Sequence, residues 1–289
     1  MLFRSVEFER ASRLLRSPFL GGAESELAAR AQLDARLRRD APARTSLPKL
    51  IARIDHCPLL RARLEAAGRL DGLVVASPAN PTGTMLGAAE LSALGEWCAR
   101  RGVRLVSDEI YHGIVYGDPA ATAAGLAPDA IVVNSFSKYF AMTGWRLGWM
   151  VVPPDLLRPV EVLAQNFFIS PPALSQAAAL AAFEACEELD ANVARYRRNR
   201  DLLLAELPRV GFDRFASPDG AFYLYADVAH LTNDSSEFCK RMLREAGVAA
   251  TPGVDFDRAR GNSYLRFSFA GSEADMAEAV RRLAAWRRD

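Results

Sequence analysis

The chain has 289 residues, half of them hydrophobic and a quarter charged, with a formal net charge of +1. This is the profile of a globular protein large enough for one big domain or two ordinary ones. It holds no apolar run of about 18 residues, so a membrane-spanning helix is not expected. The opening stretch, MLFRSVEFER, alternates charged with apolar residues and lacks the apolar core of a signal peptide, which points to a cytoplasmic protein.

Charge is unevenly placed. Residues 1–70 carry 14 Lys+Arg and 8 Asp+Glu, a balance of +6, while the remainder stands at −5. Basic residues in this segment are interleaved with acids and leucines, without the aromatic stackers of single-strand binders, so a nucleic-acid role is not expected. Four cysteines (Cys57, Cys98, Cys186, Cys239) form no CxxC pair and read as reduced core residues. Three scattered histidines (His56, His112, His230) give no zinc-site spacing, and no metal is expected.

In chain order, residues 1–70 read as helical pieces, with Val6, Phe8, Leu14 and Leu15 on one face and Leu27, Ala31 and Leu37 on another. The segment RDAPARTSLPK interrupts them with two prolines. From residue 71 the pattern changes. GLVVAS (72–77) is a short apolar run closed by the turn-rich PANPTG, and a helix follows with Leu91, Leu94 and Cys98 at helical spacing. VRLVSDE and AIVVNS read as two more buried strands. Apolar strands alternating with helices predict a mostly parallel α/β sheet with helices on both faces. Ligands in such sheets bind beyond the carboxyl ends of the strands, where Asn80, Asp108 and Ser135 fall. Beyond Pro153 the chain reads as helical: PALSQAAALAAFEA, then a longer helix over 191–207 using Val193, Tyr196, Leu203 and Leu207. The last part reads as a small α+β unit with strands in AFYLYADV and SYLRFSF. A final helix follows, capped by Ser272, with Met276, Val280 and Leu283 inward. The expected organisation is a basic N-terminal segment (1–70), a large domain (71–190) and a small C-terminal domain (191–289).

The chemistry centres on Lys138. The chain has three lysines against 33 arginines, and one of those lysines lies in NSFSKYFAMTGWRLGW. A lysine amine condenses with an aldehyde to give a Schiff base; the guanidinium of arginine, always protonated, does not do so usefully. Flanking serines such as Ser135 can hydrogen-bond a phosphate, and Arg146 can grip one bidentately. An aldehyde carrying a phosphate describes pyridoxal 5′-phosphate. Its ring also needs an anion opposite the pyridine nitrogen and donors near the phenolic oxygen. Asp108 suits the anion, and Asn80 and Tyr111 suit the donors. Singly, each residue has a plainer reading: NPTG as a turn, Asp108 as a cap, Ser135 as a strand-end hydroxyl, Lys138 as a surface lysine, Arg266 on a sheet edge. Independent turns and caps would not fall in this order.

NPTG (80–83), SDEIYHGIVY (107–116), SFSKYFAMTGWRLGW (135–149) and YLRFSF (264–269) together resemble class I/II aminotransferases of the aspartate aminotransferase fold. The resemblance covers roughly residues 70–289. It implies a pyridoxal-phosphate-dependent enzyme exchanging an amino group between an α-amino acid and a 2-oxo acid, as a homodimer. It further implies that Lys138 is the Schiff-base lysine and proton shuttle, and that Asp108 pairs with the pyridine nitrogen. Asn80 and Tyr111 would bond the phenolic oxygen, Ser135 and Arg146 the phosphate, and Arg266 the substrate carboxylate. His112 carries no motif role and reads as structural.

The chain departs from the family before NPTG. Complete members have a strand, a glycine- or serine-rich turn at a helix N-terminus and a ring-stacking aromatic in this region. Here GGAES (21–25) is the one glycine-rich candidate for the turn. No Tyr or Trp precedes residue 97, and Phe3, Phe8 and Phe19 all precede that turn. An internal deletion or a stretch read in another frame would produce this pattern, with apolar surface left uncovered and strand edges left open. A lyase on the same fold, or a remnant without catalysis, are the alternatives.

Overall fold

The computed structural model describes residues 71–286 together with two short strands, β1 (Val6–Glu7) and β2 (Arg44–Thr45), which pair antiparallel. Val6 therefore lies in a strand and not on the helical face expected for it. The remaining expectations for residues 1–70, including GGAES, the three phenylalanines, His56 and Cys57, lie outside the described residues.

The described residues fall into two compact units. One comprises residues 71–73, Gly87–Leu105 and Gly125–Asp129. Its main element is α1 (Ala88–Arg101), which buries Leu91, Gly95 and Cys98 along one stripe at helical spacing. Glu90 reaches back to accept the Gly87 N–H at 2.7 Å. Gly102, in the left-handed region at φ 64°, closes the other end, as C-terminal glycines commonly do.

The larger unit comprises Val74–Leu86, Val106–Ala124 and the described residues from Ala130 onward. The central sheet has four strands, β3 (Gly72–Ala76), β4 (Arg104–Asp108), β5 (Ile131–Ser135) and β6 (Gly148–Val151), side by side in that order. Strands β4 and β5 are parallel, with Asp108 opposite Val133. The Arg104 N–H donates to the Asp71 carbonyl and the Ser77 N–H to that of Asp108, so β3 runs the same way. The three parallel strands agree with the sequence reading to within a residue at each end. The antiparallel β6 was not expected; it lies inside the lysine motif, where its Gly-Trp-Met-Val run is too short to show a period. It pairs Ser135 with Gly148 and Asn134 with Trp149.

Every residue of β6 is exposed. So are Leu163 and Phe167 of α3 (Pro154–Phe167), a helix that buries none of its residues. Phe167 is 80% exposed and Ile169, just beyond, 82%. Apolar side chains on and beside β6 and α3 therefore face solvent among the described residues.

A short helix α2 (Ala123–Leu126) precedes β5; α4 (Ala173–Ala182) and the long α5 (Cys186–Glu206) follow α3. A second sheet has the order β7 (Tyr223–Asp227), β9 (Tyr264–Ser268), β8 (Thr251–Pro252), all antiparallel. Helices α6 (Ser235–Ala246), α7 (Glu273–Trp286) and α5 share its core, in which Leu207, Phe212, Leu224, Met242, Leu265, Phe269 and Leu283 are almost wholly buried. Each such side chain contributes about 1.5–3 kcal/mol by leaving water. Ser272 caps α7, accepting from the Asp275 N–H at 3.1 Å, and Val280 and Leu283 point inward as the sequence requires. Cys98 and Cys239 are buried free thiols, but Cys186 is exposed at the first turn of α5 with its thiol on the Phe183 carbonyl, which corrects the reading of all four as core.

Candidate functional site

Strand ends set the site out. Asp108 is the last residue of β4 and Ser135 the last of β5; Asn80 follows β3 after a turn. Gly83 shapes that turn at φ 67°. A Cβ there would lie 2.4 Å from the Pro218 Cβ and 2.7 Å from the Gly220 carbonyl, and the Gly83 carbonyl accepts the Asp219 and Gly220 N–H groups. Only a residue without a side chain allows both the left-handed backbone and this close approach.

Four of the expected residues come together. Arg266, on β9, donates through Nη1 to Asn80 Oδ1 at 2.7 Å and through Nη2 to Thr251 Oγ1 at 3.1 Å. Its guanidinium carbon sits 4.2 Å above the Tyr223 ring and 4.8 Å from that of Phe256. The Tyr223 hydroxyl lies 2.7 Å from the Tyr111 hydroxyl. Lys138, half-buried in the loop after β5, places Nζ 5.5 Å from the centre of the Tyr111 ring. Burial, then the bond to Tyr223, push the Tyr111 phenol well above its ordinary pKa, while Arg266 opposes them.

Of the other three, Asp108 and Ser135 end their strands and Arg146 lies two residues before β6. Asp108 Oδ1 accepts the Ile110 N–H at 3.1 Å and so holds the turn leading to Tyr111. Ser135 Oγ accepts the Ser137 N–H at 3.0 Å and lies 2.9 Å from Ser137 Oγ and 3.1 Å from the Leu147 carbonyl. Arg146 is exposed, has a left-handed backbone at φ 53°, and donates to the Thr143 carbonyl at 3.0 Å.

Two residues escaped the sequence reading. Tyr223 is one; the signal for it is the alternation in β7, which repeats tyrosine at 223 and 225 on one face, with Arg266 opposite Tyr225 and diagonal to Tyr223. The other is Glu109, 2% exposed behind Asp108. It accepts from Ser107 Oγ at 2.9 Å and from the Ala123 N–H at 2.7 Å, and lies 3.4 Å from His112 Nδ1. Burial holds His112 below the usual histidine pKa, against the pull of Glu109. An acid directly after a buried strand, with histidine three residues on, is a visible but unspecific signal. Among the described residues no group of three His, Cys, Asp or Glu side chains is placed to hold a metal, and no helix is long and apolar enough to cross a membrane.

A mixed sheet with a lysine, an aspartate and an asparagine at its strand ends, and an arginine delivered by a second sheet, matches a known family in both sequence and fold. The chain belongs to the aminotransferase class I and II family, whose family model matches residues 48–283. The valine–pyruvate aminotransferase of Mycobacterium tuberculosis is 56% identical over 221 residues, covering 75% of this chain and 57% of that protein. A crystal structure of an aminotransferase from M. tuberculosis superposes with a TM-score of 0.75 at 52% identity, over 83% of this chain and 60% of that one. The aspartate aminotransferase from Thermus thermophilus with maleate gives 0.70 at 36% identity, over 78% and 59%. The chain thus spans less than two thirds of the length of these relatives.

The family depends on pyridoxal 5′-phosphate. The side chains present fit that group. Among the described residues the Lys138 ammonium has no carboxylate partner, and the buried Arg266 Nε has no hydrogen-bond acceptor. A half-buried unpaired amine and a buried unfilled guanidinium donor are what an aldehyde and a substrate carboxylate would take up.

Proposed function

We propose that the chain acts as a pyridoxal-phosphate-dependent aminotransferase, moving an amino group between an α-amino acid and a 2-oxo acid. The observation that carries this reading is the contiguous path from Asn80 through Arg266 and Tyr223 to Tyr111, with Lys138 beside it. When bound, the cofactor supplies an aldehyde that condenses with amines and a protonated ring that accepts the electron pair released at the substrate α-carbon.

The protein supplies the rest. Lys138 Nζ would hold the cofactor and, once the substrate amine takes its place, would carry the proton from the substrate α-carbon to the cofactor's former aldehyde carbon, and the other way in the reverse half-reaction. Asp108 would pair with the pyridine nitrogen and keep its proton in place. Asn80 and the Tyr111 hydroxyl would donate to the phenolic oxygen, and Ser135 and Arg146 would bind the phosphate, Arg146 after releasing the Thr143 carbonyl. Arg266 binds the substrate carboxylate through its planar fork, seated on aromatic faces that exclude water from one side. Valine and pyruvate are the first substrates to assay, because the relative at 56% identity is named for them. We place the protein in the cytoplasm as a homodimer.

The experiment is borohydride trapping. Incubation with pyridoxal 5′-phosphate followed by borohydride should label the native chain, and replacing Lys138 with Ala or Arg should abolish the label, while Lys49 and Lys240 replacements leave it. Label that survives the loss of Lys138 would overturn the reading.

A further inference from the structure

Tyr223 belongs to none of the four motifs, yet it touches both ends of the proposed site. It is 6% exposed and Tyr111 3%, so their hydroxyls, 2.7 Å apart, bond to each other away from bulk water. The two rings meet edge-on, with centres 5.6 Å apart at 80°. The same Tyr223 ring offers its face to the Arg266 guanidinium at 4.2 Å, and Arg266 returns to Asn80. The residues read as the two phenolic-oxygen donors and the carboxylate-binding arginine are therefore joined in a continuous chain, and Tyr223 is the link between Tyr111 and Arg266.

The two contacts use different atoms. A hydroxyl pair holds two protons, and the bond between the two oxygens uses one. If Tyr223 donates, the Tyr111 proton stays free to point elsewhere, and accepting a bond makes Tyr111 a stronger donor. The ring face, in contrast, acts through its quadrupole and needs no hydroxyl.

We propose that Tyr223 is a positioning residue of this site: its hydroxyl donates to Tyr111 and so commits the Tyr111 proton to the cofactor's phenolic oxygen, while its ring seats Arg266 for the substrate carboxylate. This rests on the reading of Tyr111 and Arg266 given under the proposed function. Burial keeps the Tyr111 phenol protonated, as a donor must be.

The test uses the full chain loaded with pyridoxal 5′-phosphate and follows its visible absorbance band against pH, then against pyruvate. Tyr223→Phe keeps the ring and its volume. It should raise the pH midpoint of the band by roughly a few tenths of a unit, because Tyr111 donates less strongly to the phenolic oxygen once it no longer accepts from Tyr223. Pyruvate affinity should stay within about threefold, since the platform remains. Tyr223→Leu should raise the midpoint similarly and also weaken pyruvate by roughly tenfold or more. A residue that only fills space would not separate the two readouts in this way. A Phe variant with an unmoved midpoint, or Phe and Leu variants that weaken pyruvate equally, would overturn the proposal while the native band preserves the cofactor reading. A native chain that forms no visible band with the cofactor would overturn both.

Discussion

Replacing Arg266 with lysine keeps the positive charge and removes the planar fork, so it isolates what the geometry contributes. In the structure the guanidinium makes two directed bonds, to Asn80 and Thr251, and lies against Tyr223 and Phe256. A bound carboxylate would be gripped by two parallel N–H groups; an ammonium offers one well-directed bond in their place. Losing one hydrogen bond to a charged group costs about 1.5–3 kcal/mol, and weaker stacking adds about 0.5–1 kcal/mol. A net loss of about 2–4 kcal/mol corresponds to a roughly 30- to 900-fold rise in Michaelis constant. Because the amino acid and the 2-oxo acid share the carboxylate, both constants should rise together. Steady-state kinetics with valine and pyruvate at saturating cofactor, alongside cofactor retention through dialysis, measure this. Unchanged Michaelis constants, or a loss of cofactor with no change in them, would place Arg266 outside the substrate pocket and refute the reasoning.

Asp108→Ala should slow α-proton removal roughly a hundredfold or more, as loss of a preorganised charge does, while substrate binding changes little; unchanged turnover at saturating cofactor would remove Asp108 from its assigned place. Gly83→Ala, with a Cβ 2.4 Å from the Pro218 Cβ and a backbone at φ 67°, should lower unfolding free energy by about 2–4 kcal/mol in denaturant titrations, and a wild-type midpoint would contradict the turn described here. Alkali tests the buried phenols. Burial raises Tyr111 and Tyr116 above the unfolded value of 10.0, so the stability they contribute is complete below pH 10 and lost as pH rises toward their folded values. Each should cost about 1.4 kcal/mol per pH unit above 10. Tyrosinate absorbance combined with denaturation at pH 9 and pH 11 checks this, and free titration of all tyrosines near pH 10 in the folded protein would contradict it.

The sequence by itself determined the three parallel strands, the long helix and the place of Asn80, Asp108 and Ser135 at or just past strand ends. Buried parallel strands are continuous apolar runs and their ends are marked by polar residues, so both are written locally in GLVVAS, RLVSD and IVVNS. The cap of α7 was legible for the same reason: Ser272 bonds within its own turn. What only the tertiary structure decided depends on residues far apart in the chain. Tyr223 lies 112 positions from Tyr111, and Arg266 lies 186 from Asn80. Strand propensity places Tyr223 on a face of β7, but which face meets Arg266 depends on the β7–β9 register. The burial of Glu109 likewise shows only in the fold, where the Ala123 N–H, 14 positions on, donates to it. Strand β6 and helix α3 show the reverse case. Their apolar residues stand exposed in the folded chain, because burial needs a second surface and a pattern of side chains cannot provide one.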